Sequence, residues 1–170
     1  YKSENSKNKK TKFSVEQIIN QAIQFHLQGN IKEATEYYKN LINQGFNDYR
    51  VFSNYGVILV DQGNTQDSEK FFRKAIELKP DYAVAHNNLG NLLRDLDNLK
   101  EAEIFLRKAI AINPALEKAH YILGKSLKAL GKYKEAEISY RKAIAINQNY
   151  SEAYCDLSLL KIEIENDNLL

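Results

Sequence analysis

The sequence predicts an all-α fold built as a solenoid of stacked helix–turn–helix repeats. Three observations predict it. The first is self-similarity at a fixed offset of 34 residues. Glu101–Pro114 (EAEIFLRKAIAINP) and Glu135–Gln148 (EAEISYRKAIAINQ) differ at only three of fourteen positions. The same frame runs back through Asp67–Pro80 and, more weakly, Glu33–Phe46. A period of this size marks units that bury their apolar faces only against their neighbours. The second is helical periodicity within each unit. In the third unit, apolar residues fall at Leu89, Leu92, Leu93 and Leu96, then at Leu99, Ala102, Leu106, Ala109 and Ile110. Both runs follow the i, i+3, i+4, i+7 pattern of amphipathic helices. The third is a turn signal at one frame position: Gly29-Asn30, Gly63-Asn64, Asp97-Asn98 and Gly131-Lys132. Glycine suits a helix C-terminus that needs positive φ, and Asp and Asn tolerate it.

The elements follow in order. Residues 1–13 form a basic N-terminal tail, and four full units occupy 15–48, 49–82, 83–116 and 117–150, with a half unit or capping helix over 151–170. Ser14-Val15-Glu16-Gln17 reads as a capping box opening the array, with Phe13 and Ile18 placed as a hydrophobic staple. Pro80 and Pro114 close second helices, which they cannot extend. Gly56, Gly90 and Gly124 sit in the middle of first helices, where each costs roughly 1 kcal/mol against alanine. Close approach of a second helix is the expected return. Isolated helices of this length are marginal in water, so stability has to come from stacking.

Composition bounds the function. At 170 residues, 44% hydrophobic and 27% charged, the chain is one soluble domain's worth. No apolar run reaches the roughly 18 residues of a membrane span, and no secretory signal is visible. The expectation is a cytoplasmic protein without membrane partners. The chain begins at Tyr1 and contains no Met, which reads as a processed chain or an excised piece. A single cysteine, Cys155, excludes an internal disulfide framework. The overall charge is +2, but residues 1–12 carry +4, leaving the repeats mildly acidic at −2. That argues against a nucleic-acid partner, whose footprint is basic. Richness in Ile, Asn, Lys and Tyr points to an AT-rich genome, with a bacterial source as the expectation.

The units resemble tetratricopeptide repeats, whose pattern is a large residue, Leu-Gly, an aromatic, Ala, an aromatic and a closing Pro. The third unit supplies His86, Leu89-Gly90, Leu93, Ala102, Leu106 and Pro114; the second supplies Phe52, Tyr55-Gly56, Leu59, Ser68, Phe72 and Pro80. The fourth supplies His120, Leu123-Gly124, Leu127, Ala136, Tyr140 and Gln148, while the first diverges, with Gln21-Ala22 and Phe46 in place of Leu-Gly and Pro. The resemblance implies about four and a half units coiling into a right-handed superhelix, with first helices lining the concave face. It also implies that the second, fifth, sixth, ninth, twelfth and thirteenth residues of each unit face inward.

Two features of that inward set stand out. Asn20, Asn54 and Asn88 share one frame position in successive units. An amide offers a donor and an acceptor, so it can pair with both groups of a peptide unit. With helices roughly 8–10 Å apart and an extended chain advancing about 3.3 Å per residue, one Asn per three peptide residues is a workable register. The row resembles the asparagine ladder of O-GlcNAc transferase repeats; Ile122 interrupts it in the fourth unit. The alternative is that each asparagine bonds a neighbouring helix, or that asparagine is simply common here. Asn87 and Asn91 extend the amide surface. The far end is basic, with Arg94, Lys118, Lys125 and Lys128 beside Tyr121, which suits an acidic segment or a C-terminal carboxylate; a solvated face is the alternative. The family's dicarboxylate clamp for chaperone tails keeps only Asn88 and Lys118, with Ser53, Val57 and Ile122 at the other three places, so chaperone binding is not predicted.

Nothing in the sequence announces catalysis. His86 and His120 are equivalent and one helix spacing apart, too far to share a metal, and stand at a packing position; Cys155 has no basic activator and also reads as packing. No phosphate loop, HExxH motif or nucleophile elbow is present. The acids Glu33, Asp67, Glu101 and Glu135 recur once per unit and read as surface or turn residues. The expected function is a protein–protein interaction scaffold, not an enzyme and without a cofactor, holding an extended peptide or partner protein. The other reading is a substrate-recruiting segment of a larger enzyme such as a glycosyltransferase or sulfotransferase. The last helix carries Tyr154, Leu157, Leu160 and Ile164 on one side and Cys155, Leu159 and Ile162 on another, so self-association through it is a further expectation.

Overall fold

A computed structural model describes residues 14–167, and all the regular structure in that range is α-helical. The described residues divide into two compact units, one ending at Asn47 and the other beginning at Asp48. The first holds α1 (Val15–Leu27) and α2 (Ile31–Asn43). The expected capping box opens α1: the Gln17 amide donates to Ser14 Oγ at 3.2 Å and the Ser14 amide to Gln17 Oε1 at 2.8 Å. Both ends of that exchange satisfy donors that a helix start otherwise leaves unpaired. Phe13, half of the expected staple, lies outside the described residues. Ala22 on α1 and Ala34 and Tyr38 on α2 are fully buried.

The second unit holds α3 (Tyr49–Asp61), α4 (Thr65–Leu78), α5 (Ala83–Asp95), α6 (Leu99–Ile112), α7 (Glu117–Ala129), α8 (Tyr133–Ile146) and α9 (Ser151–Asp167). Helices pair as α3–α4, α5–α6 and α7–α8; each pair packs on the next, and α9 packs on α8. One continuous core results, running from Phe72 through Leu89, Leu106 and Leu123 to Tyr140, Leu157 and Leu160. Leu96, placed on the apolar stripe by periodicity, is 46% exposed, because it caps α5 at the turn rather than continuing the helix face.

The mid-helix glycines do permit close packing. A Cβ added at Gly56 would lie 2.7 Å from the Phe72 ring, and one at Gly90 or Gly124 would lie 2.6 Å from Leu106 or Tyr140. The turn glycines have φ of 78°, 77° and 73° at Gly29, Gly63 and Gly131, and Asp97 holds the same frame position at 61°.

The recurring acids do more than decorate the turns. Arg73 on α4 bridges Glu69 on its own helix and Glu101 on α6, at 2.8 and 2.7 Å. One repeat later Arg107 bridges Glu103 and Glu135, at 2.9 and 2.7 Å. The second helices are therefore tied unit to unit by ion pairs. His86 and His120 do the same at the turns: their Nε2 atoms meet the carbonyl oxygens of Pro80 at 2.8 Å and Pro114 at 3.0 Å. Cys155 differs from the packing reading and is exposed on α9. Its position on the helix faces away from Leu157 and Leu160, which anchor α9 to the core.

Candidate functional site

The 34-residue register places equivalent side chains of α3, α5 and α7 in rows across the second unit. Asn54 and Asn88 occupy one such row, both half-buried. Asn20 stands at the same frame position on α1, exposed, within the first unit. Asn88 Oδ1 accepts a long 3.4 Å hydrogen bond from Asn87 Nδ2. Asn87 itself is only 7% exposed, and its Oδ1 is enclosed. It supports Asn88 from beneath and offers little surface of its own. Asn91 is half-buried one turn further along α5, with Val57 and Val60 of α3 packed beside the core.

The basic residues divide into those already engaged and those still open. Arg94 pairs with its neighbour Asp95. Lys128 Nζ reaches Glu163 Oε1 on α9 at 2.7 Å. Lys118 is exposed, and Lys125 is half-buried; neither has a carboxylate partner among the described residues. The Lys125 ammonium instead stands 5.6 Å from the Tyr121 ring centroid, a favourable cation–π distance. Tyr121 donates its hydroxyl proton to Asp156 Oδ2 at 2.9 Å. Burial, and then that carboxylate, hold the Tyr121 hydroxyl well above its ordinary value of 10.0, so it remains a donor. Tyr140 beneath it is raised likewise, by burial first and by the nearby Asp156 next.

Between α7, α8 and α9 lies a cavity of about 250 Å3, lined by Lys125, Lys128, Ala129, Tyr133, Tyr140, Asp156 and Glu163. A second, of about 370 Å3, lies between α6, α7 and α8, lined by residues including Arg107, His120, Leu123 and Ile138. Asp156 and Glu163 were legible as groove residues from the frame, but their engagement of Tyr121 and Lys128 was not. Opposite charges at the twelfth and thirteenth positions of successive units would have signalled the Lys128–Glu163 pair. Tyr133 and Tyr140 belong to a second helix and fall outside any groove pattern. Among the described residues, no three His, Cys, Asp or Glu side chains come together as a metal site, and no helix is long and apolar enough to cross a membrane.

Paired helices in a 34-residue register, with glycines where second helices approach, define a helical-repeat scaffold. Family profiles described as tetratricopeptide repeat match residues 47–115 and 117–150. The chain belongs to the tetratricopeptide repeat family, whose arrays serve as protein-interaction scaffolds. No curated protein matches it. Among solved structures, MamA from Desulfovibrio magneticus RS-1 is similar at 21% identity and a TM-score of 0.76, over 91% of this chain and 87% of that one. PilF of Pseudomonas aeruginosa aligns at 17% identity and a TM-score of 0.79, over 89% and 69% of the two chains. The first tetratricopeptide domain of Spaghetti (RPAP3), solved bound to the HSP90 peptide SRMEEVD, aligns at 23% identity and a TM-score of 0.68, over 69% and 94%. These likenesses establish a shared fold.

Proposed function

We propose that the array is a binding module that holds an extended peptide segment, with acidic character, along the row of first helices. The observation that carries the reading is the pair of half-buried amides, Asn54 on α3 and Asn88 on α5, held one repeat apart, with two lysines on α7 that have no carboxylate partner among the described residues. Each amide can exchange hydrogen bonds with a peptide group, and Lys118 and Lys125 complement a carboxylate on the same segment. Tyr121 and Asp156 satisfy each other, so α9 presents no uncompensated acid at that point. That a repeat domain of the same fold is seen with an acid-rich peptide is consistent with this chemistry. The role is recruitment, not catalysis. In this reading Arg94 and Lys128 set the local field through their existing partners.

The test is a selection of peptides from a random display library, followed by fluorescence anisotropy with the selected sequences. An Asn54→Ala/Asn88→Ala double variant of unchanged melting temperature is compared with the unaltered protein. Two lost hydrogen bonds at about 0.5–1.5 kcal/mol each predict weakening of roughly 5- to 150-fold. Equal affinity of the two proteins would remove the amide row from the binding surface.

A further inference from the structure

We propose that the cavity between α6, α7 and α8 receives an aromatic side chain of a partner protein, at a second site independent of the amide row. The repeat itself supplies the template. In two successive repeats, a ring on the second helix stacks on a side chain of the first helix at the same pair of frame positions. Phe71 stacks on Phe52 with centroids 5.7 Å apart and planes at 21°, and Phe105 stacks on His86 at 5.9 Å and 30°. Two cations complete the surround of Phe105: Arg73 of the preceding repeat and Lys108 of its own helix each stand 5.5 Å from the ring centroid. Exactly 34 residues on, His120, Arg107 and Lys142 take the places of His86, Arg73 and Lys108, but Ser139 takes the place of Phe105. A cavity of about 370 Å3 opens there, and all four of these side chains line it. The two histidines are anchored alike, Nε2 against the carbonyl oxygens of Pro80 and Pro114, yet His86 is 4% exposed and His120 is half-buried. Phe105 covers the first imidazole, and Ser139 is too small to cover the second.

The lining selects a ring. Cations complement the negative face of an aromatic system, and an imidazole face stacks on it. Arg107 already pairs with Glu103 and Glu135, but Arg73 covers Phe105 while paired with Glu69 and Glu101, so such pairing leaves a guanidinium free to meet a ring. The Ser139 hydroxyl donates to the Glu135 carbonyl oxygen at 3.0 Å. Ile110 and Leu123 give the cavity apolar walls. A carboxylate would gain Lys142 but leave those walls and the imidazole face without a partner. The rim points to a protein as the bearer of the ring. Ile138 on α8 is 60% exposed, and Ile104, one turn before Arg107 on α6, is 54% exposed. A free aromatic molecule would leave both isoleucines bare, whereas a protein surface that presents the ring covers them too, as around the aromatic anchor of an interface.

The experiment is a peptide display selection against the whole protein, counter-selected against Ser139→Phe, which restores the ring of the other repeats. That variant should melt about 2–8 °C above the parent, because the ring enters a surround already built for it. A lower melting temperature would show that the surround does not fit a ring and would overturn the site. Peptides enriched on the parent and lost on the variant should share a Phe-class residue. Replacing it by Ala should weaken binding about 10- to 150-fold. Replacing it by cyclohexylalanine, which keeps size and apolarity but not the π face, should weaken binding about 2- to 30-fold. Lys142→Gln, at an exposed position, should weaken the phenylalanine peptide about 2- to 5-fold and leave the cyclohexylalanine peptide unchanged. Asn54→Ala/Asn88→Ala should affect neither peptide. Equal affinity of the phenylalanine and cyclohexylalanine peptides would overturn the choice of an aromatic ligand. No differential enrichment, or loss of the peptides on the amide variant, would overturn the site. Self-association of the parent that Ser139→Phe abolishes would make a second copy the occupant and overturn the assignment to a partner protein.

Discussion

Replacing Gly90 by alanine tests the packing logic of the whole array. Gly90 lies in the middle of α5, where an isolated helix would gain about 1 kcal/mol from Gly→Ala. The structure reverses the sign. The new Cβ would stand 2.6 Å from Leu106 Cγ, 3.0 Å from Leu106 Cδ2 and 3.3 Å from the Ala102 carbonyl oxygen. Ordinary carbon contacts are about 3.5–4.0 Å, so the helices must part by several tenths of an ångström or more. Leu106 is fully buried and the Ala102 carbonyl is backbone, so neither yields cheaply. Overpacking of this kind costs about 1–3 kcal/mol; a contact at 2.6 Å with a buried side chain stands at the upper end, about 2–3 kcal/mol, so after the propensity gain of about 1 kcal/mol the net loss should be about 1–2 kcal/mol. For a chain of this size that lowers the melting temperature by about 2–8 °C, read by circular dichroism. The decisive arm is a double-mutant cycle with Leu106→Ala. That change alone costs about 2–5 kcal/mol, but in its background Gly90→Ala should become neutral or stabilising. A Gly90→Ala protein that melts higher than the parent, or a cost unchanged by Leu106→Ala, would refute the close-approach account.

Two other predictions follow from single positions. Asp97 holds φ of 61° at the frame position where Gly29, Gly63 and Gly131 stand in the other units, so Asp97→Gly should stabilise by about 0.5–1 kcal/mol; a lower melting temperature would show that the aspartate side chain contributes something the turn geometry does not explain. Glu103 is held below its ordinary value of 4.5: burial opposes this, but hydrogen bonds from Lys132 and Arg107 outweigh it. Its contribution is therefore complete above pH 4.5 and is lost as pH falls through the lowered value. Glu103→Gln should be less stable than the parent at neutral pH and converge with it in acid, as urea titrations at a series of pH values would show; a gap that persists after the carboxylate protonates would rule out the charge as its cause.

The fold was legible because repetition multiplies weak signals. One Leu-Gly pair or one Gly-Asn turn says little, but Gly56, Gly90 and Gly124 in register, beside Phe72, Leu106 and Tyr140 in register, specify both helices and which faces meet. A period of 34 residues with a helical period inside it assigns each residue an angle on its helix, and the angle assigns its face. The candidate site was legible only to that depth. The frame put Asn87 and Asn88 on one surface, yet Asn87 is enclosed and Asn88 is not. It put Arg94 and Lys128 among open cations, yet both are engaged. It gave no hint of a cavity floored by Tyr133 and Tyr140, which sit on a second helix. The sequence by itself determined the repeat, the helices, the turns and the rows of side chains, because those depend on local backbone chemistry and on periodic burial. Only the tertiary structure decided which amide is enclosed, which lysine finds a carboxylate and where a pocket opens, because those depend on distances between helices that meet after the chain has stacked.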